Sequence, residues 1–350
     1  MQESYFQRVM RKTPTCFWIN NVTREEARIA IDAGARNCTQ NPSYPWKILN
    51  QSSDSERAKA LLDEILAQQA DDEDALHELQ RRLVADICMY FSPIHQTTGG
   101  REGWVTIQAS PIHEDLDTIL RWARIHVKTA PNMMLKIPAT KQGLEAMEVL
   151  VAEGYPVLAT EVMSVAQVID VCELYERVTQ NVERPPVMYL AHIAGIFDEH
   201  LQATVQREGI DVDADALWQA GIIVAKKIRR VMDDRGYRVQ MLSGGARGLQ
   251  HFTEMVGARS GVTINWVKTA DKLVELDGPV IDRFSAQPAP DVIDELLEKV
   301  PDFRRAYERS LLSAEEYESF GPVVRFRDSF EAAWRSGLDF IAKRRTGLRG

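Results

Sequence analysis

Short apolar runs bounded by turn residues alternate along this chain with longer stretches in which apolar residues recur every three or four positions. Eight runs stand out, at 15–20, 37–40, 104–109, 133–137, 156–160, 187–192, 238–243 and 261–265. Runs this short and this uniformly apolar suit strands buried on both faces, and the helical stretches between them supply the crossovers of a parallel sheet. Alternation of the two predicts an α/β fold, and eight units predict a (β/α)8 barrel.

About sixty residues separate the second and third runs, too many for a plain loop. Within them 53–69 carries Leu61, Leu62 and Ile65, and 73–90 carries Leu76, Leu79, Leu83 and Ile87, at helical spacing. A helical insertion is therefore predicted over about 50–95. The stretch 141–153 reads as a helix stopped by Gly154, and Ser164 is placed to cap another reaching about 180. In that helix Val165, Val168, Ile169, Cys172 and Tyr175 share one side. A Pro-containing segment at 285–291 precedes helices expected at 292–311 and 329–345, which would pack over the barrel. The chain 1–350 is thus read as one barrel domain with additional helices, and it shows no repeat of solenoid period.

Composition narrows the chemistry. A formal net charge of −9 disfavours nucleic acid and anionic membrane surfaces as partners. Small molecules remain the expected ligands. Cys16, Cys38, Cys88 and Cys172 have no CxxC or metal-finger spacing, and no stretch near Met1 shows the order of a signal peptide. A reduced, cytoplasmic protein is predicted. No apolar run approaches the roughly 20 residues that cross a bilayer. The sequence leaves the oligomeric state open, a homodimer being one arrangement it allows.

One residue breaks the apolar pattern of the fourth run. Lys136 stands in Met133-Met-Leu-Lys-Ile-Pro-Ala-Thr140, where strand alternation would turn its side chain into a barrel. Two readings follow. A strand-end lysine can reach solvent or a carboxylate. Alternatively, an amine withdrawn from water has its pKa pushed down, which enlarges the neutral fraction able to attack a ketone.

The ordered segments FWINNVTREEA, CTQNPS, VTIQASP, LKIPAT, LATEVMS and LSGGARG, from Cys16 to about Trp266, resemble the transaldolase family, LKIPAT most specifically. The resemblance implies a (β/α)8 barrel with an imine-forming lysine on the fourth strand, the place of Lys136. It implies that Lys136 condenses with a ketose, that the C3–C4 bond breaks, and that the dihydroxyacetone unit passes to an aldehyde. No metal or diffusible cofactor is implied, because the iminium is itself the electron sink. Asn41 matches the family asparagine that binds hydroxyls of the C3 unit, and Thr160 the threonine that holds a proton-relaying water. Arg247, in Ser243-Gly-Gly-Ala-Arg-Gly248, matches an arginine that binds substrate phosphate, and Ser243 of the same segment is a further candidate for substrate binding. A Gly-rich turn entering a helix would add backbone N–H donors.

Other positions depart from the pattern. The family's first-strand Asp is Asn20 here and its third-strand Glu is Gln108, and neither amide takes up a proton at neutral pH. Leu158 replaces an Asn, and Ala191 and Ile196 replace a Ser and a second phosphate-binding Arg. Glu161, His192 and, less strongly, Tyr189 are candidates for proton transfer, against ordinary readings as a solvated Glu and a core His held by backbone. The expected activity is dihydroxyacetone transfer with an altered sugar. Its alternatives are an aldolase that releases free dihydroxyacetone and a catalytically silent sugar-binding relative. With Arg247 alone, the far end of the sugar is expected to be neutral, longer, or to carry a sulfonate or carboxylate.

Overall fold

Eight parallel strands close on themselves in sequence order: β1 (Cys16–Asn20), β2 (Asn37–Thr39), β3 (Val105–Ile107), β4 (Met133–Pro138), β5 (Val157–Val162), β6 (Met188–His192), β7 (Gln240–Ser243) and β8 (Ser260–Ile264). The computed structural model describes residues 3–51 and 53–349. Pairing of Phe17 with Val262 and of Ile19 with Ile264 joins the last strand to the first, completing the predicted (β/α)8 barrel. No strand boundary differs from its expected run by more than two residues. The differences have local causes. β3 ends early because the Gln108 carbonyl accepts from Gln80 Nε2 (3.0 Å), and β7 starts late because the Arg238 N–H donates to Glu176 Oε1 (2.8 Å).

β5 runs two residues past its expected end, and it does so through an irregularity. Ala159 pairs with Leu190 and Val162 with His192, so β5 has one residue more than β6 between the two pairings. Glu161 lies in this bulge with φ +61°, a left-handed backbone that non-glycine residues adopt at a cost of about 1–3 kcal/mol.

The crossover helices follow the expected pattern. Gly154, with φ +83°, follows the helix Lys141–Ala152. Ser164 caps the helix Val165–Val178 by accepting from the Gln167 N–H (3.2 Å), and Val165, Val168, Ile169, Cys172 and Tyr175 are all buried. The region between β2 and β3 holds the helices Tyr44–Gln51, Ser55–Leu66 and Asp72–Thr97. The last outruns the expected end near Tyr90 because it continues through Pro93, where Thr97 Oγ1 donates to the Pro93 carbonyl (2.8 Å).

The C-terminal region departs more. The expected helix 292–311 is divided into Pro290–Lys299 and Pro301–Tyr307, each beginning with a proline whose missing N–H is not needed there. The expected helix 329–345 is instead Gly321–Arg349. It begins earlier because Val323, Phe326 and Phe330 continue the buried stripe that reaches Trp334 and Ile341. Burying each phenylalanine contributes roughly 1.5–3 kcal/mol. Polar ties bind this helix to the insertion: Trp334 Nε1 donates to Glu73 Oε1 (2.9 Å), Arg344 Nη2 to Asp63 Oδ2 (2.7 Å) and Arg345 Nε to Asp72 Oδ1 (2.7 Å). Among the described residues, no helix is long and apolar enough to cross a membrane.

Candidate active site

A cavity of about 310 Å³ lies among residues at or just beyond the C-terminal ends of the strands, the face on which barrel enzymes carry their chemistry. Asn20, Asn41, Lys136 and Arg247 line it from the barrel side, and Phe326 and Phe330 from the C-terminal helix. Lys136 is only 5% exposed. Among the described residues no hydrogen bond or ion pair holds its amine. Two ring faces lie near it, with Nζ 5.8 Å from the Phe326 centroid and 5.5 Å from that of Phe330.

Burial pulls the Lys136 pKa down to about 8, against the opposing pull of the Glu161 charge. About a tenth of such an amine is neutral at pH 7, against roughly one part in three thousand for an ordinary lysine. A neutral amine facing a polar cavity can add to a ketone.

Behind Lys136 the wall carries carboxyl and amide groups. Gln108 Nε2 donates to Glu161 Oε1 (3.2 Å), and both side chains are buried. Desolvation raises the Glu161 carboxyl to about 7, partly offset by Lys136 and then by Arg327 and the Gln108 hydrogen bond. Gln108 and Lys136 also face a smaller cavity of about 20 Å³ that Glu114 lines. Several buried polar atoms here have no hydrogen-bond partner among the described residues: Gln108 Oε1, Glu114 Oε2, Thr160 Oγ1 and Glu161 Oε2. Buried polar atoms of this kind call for a water or a ligand as partner.

Across the cavity the polar groups are tied together. Asn20 Nδ2 donates to Asn265 Oδ1 (2.9 Å), while its Oδ1 accepts from Thr39 Oγ1 (2.8 Å), which in turn meets Thr263 Oγ1 (2.7 Å). The Asn20 amide donates at one end of this chain and accepts at the other. Asn41 is fixed by Ser43, whose N–H and Oγ donate to its Oδ1 (3.0 and 2.6 Å).

The far end differs from its expected form. Arg247 lines the cavity, but its Nε donates to Glu199 Oε1 (2.6 Å) and its Nη1 to the Gly245 carbonyl (3.2 Å). The N–H groups of Arg247 and Gly248 turn to His251 Nδ1 (3.4 and 3.3 Å). His251 is itself buried against Asp198 (Nε2 to Oδ2, 2.9 Å). The helix after the Gly-rich turn spans only Gln250–Thr253. The expected cradle of free N–H donors at a helix start is therefore corrected: the glycines serve packing, with Gly195 lying directly on the Gly245 carbonyl.

Six expected residues stand off the main cavity, Gln108 and Glu161 behind Lys136 and four others elsewhere. His192 packs outward, Nδ1 3.0 Å from the Val162 carbonyl and Nε2 3.3 Å from the Gly221 carbonyl on the helix Ala214–Asp234. Burial lowers its pKa to about 4, so it stays neutral and engaged. Ser243 is buried on the opposite side of β7 from Leu242 and Gly244, which do line the cavity. Thr160 is fully buried beside Glu161, and its carbonyl accepts from the Ala139 N–H (2.7 Å). Tyr189 stacks edge-on with Trp18 (4.9 Å) in a pocket at the other end of the barrel. Sequence reading missed Glu114, Glu199, Phe326 and Phe330, and only the four-residue spacing of the two phenylalanines left a signal.

A sequence profile described as Transaldolase/Fructose-6-phosphate aldolase matches residues 17–316. The chain belongs to this family. Proteins named transaldolase resemble it in part. One from Acidothermus cellulolyticus is 28% identical over 222 residues, which cover 59% of this chain and 58% of that one. One from Neisseria gonorrhoeae is 29% identical over 171 residues, covering 46% and 47%. A third, from Mycobacterium ulcerans, is 30% identical over 157 residues, covering 42% and 41%. The chain spans about half the length of the curated relatives it matches. An aldo-keto reductase structure from a deep-sea metagenome library aligns with 86% of this chain and 93% of its own at TM-score 0.32 and 10% identity, too slight a likeness to carry an argument. Leu158, Ala191 and Ile196 form an apolar wall in the cavity of this chain. Among its described residues no group of three or more His, Cys, Asp or Glu is arranged to hold a metal ion.

Proposed function

We propose that this protein is a transaldolase-like enzyme that transfers a dihydroxyacetone unit from a ketose to an aldehyde through a Schiff base on Lys136. The observation that carries the reading is a buried amine with no hydrogen-bond or ion-pair partner among the described residues, its pKa drawn down to about 8, on the wall of a cavity at the C-terminal barrel face. Lys136 adds to the ketone and loses water to form the iminium. Cleavage of C3–C4 sends its electron pair into the iminium as an enamine. Asn41 and the Asn20 chain offer donors and acceptors to the sugar hydroxyls. Glu161, beside Lys136 and bonded to Gln108, exchanges the protons.

The donor sugar differs from an ordinary sugar phosphate in this reading. Arg247 is held by Glu199 and Ile196 brings no charge, so the far end favours a neutral or weakly anionic group over a phosphate dianion. A second reading, an aldolase releasing free dihydroxyacetone, is favoured by Gln108, an amide where a transferase of this family carries a carboxylate. Release of dihydroxyacetone with and without an added aldose separates the two.

Trapping tests the proposal. Incubation with dihydroxyacetone, fructose 6-phosphate or unphosphorylated ketoses plus borohydride is expected to leave a stable mass adduct on the peptide that contains Lys136. Equal labelling of Lys136→Met would refute the assignment. Reversible sugar binding with no adduct across the panel would favour a silent binding protein.

A further inference from the structure

Two carboxyl groups lie behind the reactive lysine, and the ordinary reading of the site uses only one. The bulge in β5 and the left-handed backbone at Glu161 bring that side chain, fully buried, to Gln108 on the third strand's exit. Glu114, from the segment after β3, reaches the same region from another direction. It shares the small cavity with Gln108, Ser110, His126 and Lys136. At about 20 Å³ this space admits roughly one water molecule. Glu161 Oε2 and Glu114 Oε2 are both buried with no hydrogen-bond partner among the described residues.

The surrounding charges decide how two buried carboxyls coexist. Lys136 from β4 and Arg327 from the C-terminal helix lower the Glu161 carboxyl, while Glu318 raises it. After burial, the Glu161 charge acts most on Glu114, with Arg327 opposing and Glu318 and Glu331 adding to the rise. Arg327 is shared with those same acids, 3.3 Å from Glu318 and 3.9 Å from Glu331, so its charge is largely spent. His126 faces Glu114 across the small cavity and is itself kept neutral by burial. Burial and then the Glu161 charge hold Glu114 well above the usual carboxylate range, while burial raises Glu161 against the pull of Lys136. Two like groups whose environments drive them apart divide into an acid and a base.

We propose that Glu114 and Glu161 form a carboxyl couple that shares one proton behind Lys136, Glu161 exchanging protons with the reacting sugar and Glu114 acting as the positioning residue that keeps the shared proton. The proposal rests on the Schiff-base reading. It means that the acid–base function absent from Gln108 has moved to β5, with the amide now a donor to it. At rest the couple carries one proton. When C3–C4 breaks, the C4 hydroxyl proton passes to the couple as the aldehyde forms, and the bonding pair enters the enamine. The couple then carries two. When the enamine carbon adds to an acceptor aldehyde, the new alkoxide takes the proton back.

The test compares the full-length protein with its Glu114→Gln and Glu161→Gln variants, with dihydroxyacetone and fructose as probes. Infrared spectra at pH 8 are expected to show a protonated carboxylic C=O band in the parent that is absent from Glu114→Gln. That variant should still give the borohydride adduct on Lys136, with kcat for cleavage lowered at least about tenfold and KM little changed. Glu161→Gln should lose about 10²-fold or more in kcat while also keeping the adduct. A band that persists in Glu114→Gln, or an unaltered kcat and pH profile, overturns the couple. Should Glu114→Gln not fold, the parent spectrum decides, since a protein with no protonated carboxyl at pH 8 has no such couple. Failure of the parent to form any adduct removes the Schiff-base reading instead.

Discussion

Two lysines of this protein are almost equally buried, Lys226 at 4% exposure and Lys136 at 5%, and they live in opposite surroundings. Lys226, on the outer helix Ala214–Asp234, donates to the Arg283 carbonyl (2.7 Å), the Ala286 carbonyl (3.3 Å) and Glu254 Oε2 (3.3 Å). It clasps a loop. Lys136, inside the barrel, has no such partner among the described residues and faces a cavity. Burial lowers the pKa of both, but for Lys226 both the charge and the hydrogen bond of Glu254 push back, and for Lys136 only the charge of Glu161 does. Burial alone therefore does not mark a reactive amine. The missing partner does, because an unpaired buried ammonium costs stability that a packing role does not return.

Exchanging each lysine for methionine breaks the comparison most sharply. Lys136→Met is expected to lose the borohydride adduct and turnover altogether, and to gain on the order of 3 kcal/mol of stability at pH 7. The sign follows from a folded pKa below the unfolded one. The native state binds fewer protons between about 8 and the ordinary 10.5, so the penalty is full below pH 8 and fades as pH rises through that window. Urea unfolding of parent and variant at pH 7 and near pH 10.5 should show the gain and then its disappearance. Lys226→Met should keep the adduct and lose about 2 kcal/mol, since three acceptors are left without their donor. A smaller effect is expected at the far end of the cavity. Glu199→Gln weakens the hold on Arg247 and should lower KM for phosphorylated ketoses about tenfold, with little change for neutral ones, as read in steady-state kinetics.

How far the chain could be read without coordinates depended on whether a residue obeys a period. The strands were legible because each is an apolar run between breakers, and Lys136 because a charge interrupts one. Glu161 could be noticed as a carboxyl in that setting. The bulge that turns it toward Gln108 could not, since an extra residue in β5 shows only against the register of β6. At β7 the cavity takes Leu242 and Gly244, and Ser243 between them is turned away from it. Glu114 sits in an irregular segment with no period to betray it, and Arg247 is bound by Glu199 from a different crossover helix, a pairing only the closed barrel creates. Phe326 and Phe330 were hard to see because Arg327, Asp328 and Ser329 between them disguise the stripe.

The proposed chemistry turns on the proton held by one amine, and that proton can be watched directly. Titration of the Lys136 Cε or Nζ signal by NMR, assigned by its absence in Lys136→Met, is expected to give a midpoint near the value of about 8 set by burial against Glu161. A midpoint at the ordinary lysine value, about 10.5, would mean a solvated or paired ammonium and would contradict the proposed chemistry.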